Sequence, residues 1–442
     1  MMRKAFLIVV VQLFFCGVCF AADEALQKSF ISFKDAEETA IRNSHQIGSQ
    51  KYVVDSAKDD AFAQKVKRYP SLRFGADSTF VSKIGEISVP QLGLTQKVGD
   101  HVSWSTGPVV DWVVWDTGQI TNQAKSLEKI ADSEDNNLDY STRQVLLGVR
   151  SAYIDVQLAS EEVRLVKEAL SLARAQYADV SEKKKVGTAD LLDLTVAHQE
   201  VVDRERDLDE AEGALGLAQR TLVAALGFDP EKENPDSLNV EPIKAVLNVL
   251  LPRSDASVDV ESHPQVKALA DQREAAMLAA KSSSARHWPK VVMQGSATYQ
   301  YPNLGDNTTI QQNKATLGLN LPILDWGMIS KETRSRRYQA YSAEEQKKQT
   351  AIDLSRDTSR IKERIMTLKE LRGANVKAVR DAVEVARLTY DSFQAGRVIF
   401  LDVQRANVKA LSAKVASAQT DAELALQISR LLSLAESDGA SR

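Results

Sequence analysis

The glycines of KVGTADLLDL and AGRVIFLDV, Gly187 and Gly396, stand 209 residues apart, and each is followed at the same spacing by a leucine and an aspartate: Leu192 and Asp193, then Leu401 and Asp402. WDTG ending at Gly118 and LDWG ending at Gly327 keep that separation, so the interval from Gly118 to Gly187 equals the interval from Gly327 to Gly396. Upstream, KRYPSL and RHWPKV align Pro70 with Pro289, and the connection from proline to the next matched glycine is longer by ten in the first copy. The chain is an internal duplication, and its fold has to be built from two copies of one unit.

Within each copy the hydrophobic period changes at the proline. A helix of moderate amphipathicity is predicted over roughly 32–67 and stops at Tyr69-Pro70; its counterpart runs from about Pro264 to Arg286 and stops at Trp288-Pro289. After each proline the period becomes two. Leu72, Phe74, Ala76 and Phe80 share one face against Arg73, Asp77 and Thr79. In the second copy Val291, Met293, Ala297, Tyr299 and Tyr301 oppose Gln294, Ser296, Thr298 and Gln300. Return strands follow, with Val102, Trp104, Val110, Trp112 and Val114 on one face in the first copy and Ala315, Leu317, Leu319 and Leu321 in the second. Four strands per chain, in two hairpins, are expected.

Beyond Gly118 and Gly327 the apolar positions step by seven. Leu138, Val145, Ala152, Ala159, Val166 and Ala173 form one row and Val149, Val156, Val163 and Leu170 a second, the signature of a coiled coil rather than an ordinary globular helix. The second copy repeats it through Leu354, Ile361, Leu368 and Ala382 beside Thr358, Ile365, Val379 and Ala386, weakened by Arg372 and Asn375. An arm from about 119 to 184 would be ~100 Å long at ~1.5 Å per residue. Gly187 and Gly396 then lie at the tips of antiparallel helical hairpins, where a backbone reversal favours a residue without Cβ. The proline-containing stretch 229–260 reads as the linker between copies. The resulting division is a leader over 1–21, a first repeat over 22–228, the linker, a second repeat over 261–436 and a tail over 437–442.

Composition narrows the function. Of 442 residues, 26% are charged and 6% aromatic, and 60 acidic against 56 basic side chains leave no bulk basic surface for nucleic acid. The N-terminus, with Arg3 and Lys4 before an apolar run and small residues, reads as a secretory signal cleaved after Ala21; both cysteines, Cys16 and Cys19, would leave with it and no lipid would be attached. No later stretch of ~18 or more consecutive apolar residues exists, so a membrane crossing would have to use strands. Neither a phosphate-binding G-x4-G-K-[ST] loop nor an H-E-x-x-H helix is present, and the five histidines are scattered. No catalytic residue, metal site or cofactor is expected.

The signal, the duplicated hairpin layout, LPILDWG at the end of the fourth strand and the Gly-x5-Asp tip in both copies together resemble the TolC-like outer-membrane efflux and secretion channels over nearly the whole mature chain. The resemblance implies an α+β membrane protein: a homotrimer whose twelve strands close a β-barrel in outer-membrane lipid, with the helical hairpins forming a periplasmic α-barrel. It further implies two partners, a periplasmic membrane-fusion adaptor and an inner-membrane transporter of RND or ABC type. Four strands cannot close a small barrel by themselves, which favours oligomerisation independently. On this reading Gly187, Asp190, Asp193, Gly396, Arg397, Asp402 and Arg405 form the periplasmic gate. Phe74, Phe80, Trp104, Trp112, Tyr299, Tyr301, Leu317 and Leu319 face lipid, and Gly118, Asp325 and Gly327 join strand to helix. The resembling channels carry two tip aspartates three apart; here Arg405 replaces the second, so a narrowed resting entrance with a single acidic ring from Asp402 is expected. Asp190 and Asp193 would pair with Arg397 or Arg405 of neighbouring hairpins. The aspartates fit simple stabilisation of helix N-termini equally well, and the aromatics fit ordinary packing as well as an interfacial belt. A periplasmic coiled-coil adaptor without a pore is the alternative.

Overall fold

The structure is a computed structural model describing residues 30–89, 94–232, 238–303 and 308–435; the expected leader, its cleavage site and the tail at 437–442 lie outside the described residues. The order is β1 (Phe30–Ile31), α1 (Phe33–Asn43), α2 (His45–Val66), β2 (Ser71–Phe80), β3 (Gly85–Val89), β4 (Leu94–Val98), β5 (Val102–Trp115), α3 (Gln119–Lys185), α4 (Leu191–Ala225), β6 (Asn239–Val240), α5 (Ile243–Leu250), α6 (Pro264–Ala285), β7 (Lys290–Tyr301), β8 (Ile310–Asn320), α7 (Met328–Gln394) and α8 (Phe400–Ala435).

The duplication appears in the bounds. α3 and α7 each hold 67 residues, beginning 209 apart, and α2 and α6 each hold 22, beginning 219 apart. At ~1.5 Å per residue the long helices extend ~100 Å. The surplus residues of the first copy lie in the connection between β2 and β5, which carries the extra hairpin β3–β4 that periodicity did not foresee.

The helices form a ribbon of four columns. α2 and α4 stack end to end along one side of α3; α6 and α8 fill the other side, between α3 and α7. Position in the ribbon explains burial. α3, inside it, buries side chains along its whole length from Ile120 to Val180, more than twice as many as the equally long α7 at the border, which buries none between Leu368 and Phe393. The heptad rows of α3 are covered, with Val149, Val156, Val163 and Leu170 all under a tenth exposed. Where the second copy places polar residues in the row, each has a partner on α8. Arg372 Nε donates to Asp421 Oδ1 at 2.7 Å and Asn375 Nδ2 to Thr420 Oγ1 at 2.8 Å.

Two expectations are corrected. The helix over 32–67 is divided into α1 and α2, because Ser44 takes an extended backbone (φ −66°, ψ 114°) and its hydroxyl accepts from Ile47 N, starting a second helix. The stretch 229–260 is not a bare linker: α5 buries Ile243, Val246, Leu247 and Leu250 in a collar with α1, α8 and the middles of α3 and α7. There Tyr153 is fully buried, donating to Ile31 O at 2.8 Å and accepting from Glu241 N at 3.0 Å, and burial pushes its phenol up to about 12. That bonding ties together the short parallel pair β1–β6.

At the head of α6, His263 is buried and caps the helix with Nδ1, which accepts from Gln265 N at 3.3 Å. Its Nε2 has no partner among the described residues and its ring lies 6.1 Å from Tyr140, edge-on. Burial, aided by the Arg143 charge, lowers its pKa to about 4. No helix among the described residues is long and apolar enough to cross a membrane.

Candidate functional site

The two ends of the ribbon carry the features to which sequence assigned function. At one end β2, β5, β7 and β8 form a single antiparallel sheet in that order. Its register sorts the side chains by face. Leu72 pairs with Val110 and Phe74 with Pro108; Trp112 pairs with Met293, Met293 with Leu317 and Val291 with Leu319. The opposite face carries Arg73, Asp77, Ser105, Asp111, Gln294, Ser296, Lys314 and Thr316. There Asp111 accepts from Arg73 Nε at 3.0 Å and from Gln294 Nε2 at 2.7 Å.

The apolar face is uncovered, with Phe74 at 74% and Leu317 at 73% exposure, and Phe80 and Leu319 are similarly open. Water would oppose such a face, at ~25 cal/mol for each Å² of apolar area. Ten residues at ~3.3 Å per residue and a tilt of ~40° would span the ~25 Å apolar band of a membrane barrel. The outer edges of β2 and β8 have no partner strand among the described residues.

The expected aromatics separate into two levels. Trp104 stacks on Tyr301 at 6.2 Å beside Phe80 and Tyr299, far from the helices; Trp112, eight residues along β5, donates to Arg68 O at 2.9 Å next to them. A bulge between Val113 and Trp115 brings Trp115 opposite Val291, so Val114 leaves the regular alternation.

The strand-to-helix junctions use one device twice. Gly118 and Gly327 have φ of 84° and 83°, and the residues before them, Thr117 and Trp326, also have positive φ. Asp325 accepts from Gly327 N at 2.9 Å and from Ile329 N at 3.0 Å, holding the reversed backbone and the first turn of α7. Those two backbone bonds hold its carboxyl below the usual range. Asp116 does the same for Gly118 and Ile120, at 3.0 and 2.6 Å. Sequence reasoning named Asp325 and passed over Asp116, although the offset between the copies aligns them.

At the other end Gly187 (φ 81°) and Gly396 (φ 70°) turn the two hairpins. Asp190 caps α4 by accepting from Asp193 N at 2.8 Å. Asp193 accepts from Phe400 N at 3.1 Å, so the first tip holds the start of α8. The expected partners Arg397 and Arg405 are not used by Asp190 or Asp193 within the chain: a backbone N–H at a helix start is the nearer donor. Arg405 instead pairs at 3.7 Å with Asp402, in an exposed i, i+3 contact. Phe393, Phe400, Val403, Val180 and Ala197 form a small core behind the turns. Tyr390 donates to Asp179 Oδ2 at 2.8 Å across the hairpins, a contact sequence reasoning missed, and burial together with that bond raises its phenol pKa.

Comparison with known proteins agrees with this architecture. The family model described as outer membrane efflux protein matches residues 37–228 and 259–437. The probable outer membrane lipoprotein SilC of Salmonella typhimurium is 24% identical over 269 residues, covering 58% of this chain; the match spans only 56% of that relative's length. Among solved structures, the CmeC outer membrane channel of Campylobacter jejuni is 14% identical with a TM-score of 0.75, over 91% of this chain and 85% of that one. The outer membrane protein VceC of Vibrio cholerae is 15% identical with a TM-score of 0.75, over 91% and 96%. At such identities the likeness is one of fold.

Proposed function

The chain belongs to the outer membrane efflux protein family, and we propose that three copies assemble into the outer-membrane exit duct of a tripartite efflux pump or type I secretion system. The observation that carries the reading is the ribbon itself: four strands, apolar on one face and polar on the other, continue into four helical columns, and both strand edges are open. Three such ribbons joined edge to edge give twelve strands, enough to close a barrel, with the polar face lining a water-filled lumen. Closure also removes the open edges that lipid does not tolerate.

The duct is passive. An inner-membrane transporter, of RND or ABC type, supplies the energy, and a periplasmic adaptor joins it to the helical tips. Asp402 of three chains would form a single acidic ring at the entrance, where converging charges shape the local field and select ions. The Asp402–Arg405 contact by itself is worth only about 0.2–0.5 kcal/mol and does not hold a gate.

Light scattering of detergent-solubilised protein should return a trimer that fractionates with the outer membrane; a monomer recovered in the soluble periplasm would favour the poreless adaptor. In planar bilayers Asp402→Ala, and Asp193→Ala with Arg405→Ala, should alter conductance, cation selectivity or block by multivalent cations. If all three stay at wild-type values, these charges only stabilise the helix ends.

A further inference from the structure

The contact between the two repeats inside one chain has counterparts at the two borders of the ribbon. α3 meets α6 through small residues. Ser126 donates to Ala275 O at 2.8 Å, and one heptad away Ser282 donates to Gln119 O at 2.9 Å. Ser126, Ser133, Ala268 and Ala275 are at most 3% exposed. The duplication places small residues at the matching positions on the two borders of the ribbon. Adding 209 to Ser126 and Ser133 leads to Ser335 and Ser342 on α7; subtracting 219 from Ala275 and Ala268 leads to Ser56 and Ser49 on α2. All four are exposed in the single chain.

A second, independent observation comes from charge. Lower down, α3 meets α8 through Glu168 and Lys414, 2.7 Å apart. The equivalent border positions are Lys377 on α7 and Glu205 on α4: the signs are exchanged and the complementarity is kept. Among the described residues Lys377 has no ion pair, and Glu205, half exposed, pairs with Arg174 of its own chain. At a third point the ion pair of Lys129 with Asp271, 3.2 Å, has no charged counterpart. Its positions map to Tyr338 and Tyr52, two aromatics exposed at 61% and 78%.

Building on the trimeric reading above, we propose that the α7 border of each chain docks on the α2 and α4 border of the next in the register of the α3 contact with α6 and α8. Ser335 then faces Ser56 of the partner subunit, Tyr338 faces Tyr52 of the partner subunit, and Lys377 pairs with Glu205 of the partner subunit. The joint within the chain and the joint between chains are alternating versions of one packing. They differ where an ion pair, Lys129 with Asp271, gives way to an aromatic pair.

Oxidative cross-linking tests the register, because the only natural cysteines of the sequence, Cys16 and Cys19, belong to the expected leader and lie outside the described residues. Ser335→Cys combined with Ser56→Cys should give covalent dimers and trimers on a non-reducing gel, with none from either single variant. Ser335→Cys combined with Ser49→Cys is displaced by one heptad, ~10 Å along the axis, beyond the ~7 Å Cα reach of a disulfide, and should give none. Linking of the displaced pair overturns the proposal. So does absence of both links while light scattering still returns a trimer, whereas a monomeric mass overturns the trimeric reading itself. Should the cysteine pairs fail to fold, Lys377→Ala and Glu205→Ala provide the second measurement. Each removes the pair from all three interfaces and should raise the dissociation constant of the trimer by roughly 3- to 130-fold, the cube of the ~1.4- to 5-fold span of one exposed ion pair, and the double variant should be no worse than either. Strictly additive losses overturn the register.

Discussion

Acidification should loosen the junction between the repeats, through His263. In the folded chain its Nδ1 accepts the Gln265 N–H, so the ring proton sits on Nε2, which has no partner among the described residues. A second proton would occupy Nδ1, break the cap of α6 and place a cation in a buried site near Arg143. The folded pKa, about 4, therefore lies below the 6.5 of an open chain. Between these values the unfolded state binds a proton that the folded state refuses, so stability falls as pH drops from 6.5 towards 4 and is unaffected above that window. With ~1.4 kcal/mol for each pKa unit, this one side chain removes about 3 kcal/mol. Carboxylates titrate over part of the same range, so the readout is a difference: urea unfolding of wild type and His263→Asn, followed by tryptophan fluorescence at pH 7, 6, 5 and 4. Asparagine keeps a capping oxygen and does not titrate. Wild type should lose about 3 kcal/mol relative to the variant between pH 7 and 4. A difference that stays constant with pH would refute the reasoning.

Further substitutions test other parts of the architecture. Gly187→Ala and Gly396→Ala should each destabilise a hairpin by about 1–2 kcal/mol through positive φ alone, since the space beside each glycine is open; proteolysis at the tips should rise in both. Arg372→Leu leaves Asp421 buried without its cation and should lower stability by about 3 kcal/mol, the low end for such sites because Arg372 is itself 35% exposed. Adding Asp421→Leu should recover most of the loss in a denaturation curve. In the sheet, a Cβ at Gly107 would overlap the backbone of Ala297 and Thr298 on the neighbouring antiparallel strand β7. Gly107→Ala should reduce the folded protein recovered in outer-membrane fractions, whereas Gly75→Ala, with room for a methyl group, should not.

Sequence alone determined the repeat, the equal lengths of α3 and α7, the turns at Gly187 and Gly396 and, apart from Val114 at the bulge, the two faces of β2, β5, β7 and β8. All of these are consequences of spacing along the chain: a 3.5- or 2-residue period and a glycine that reverses the backbone act locally, so they are written locally. The break at Ser44 is local too, but a serine that caps one helix is hard to tell from one that rides within another. Tertiary structure alone decided which partner each polar group takes. Asp193 reaches the N–H of Phe400, 207 residues away, rather than an arginine; Arg372, a flaw in the heptad row, becomes the counterion of buried Asp421; and residues 243–250, among prolines, fold into the collar. Hydrogen bonds between distant segments depend on which helix columns lie side by side, and no period along the chain encodes that order. It also decided that the same 67-residue helix is covered as α3 and open as α7, because one copy lies inside the ribbon and the other at its edge.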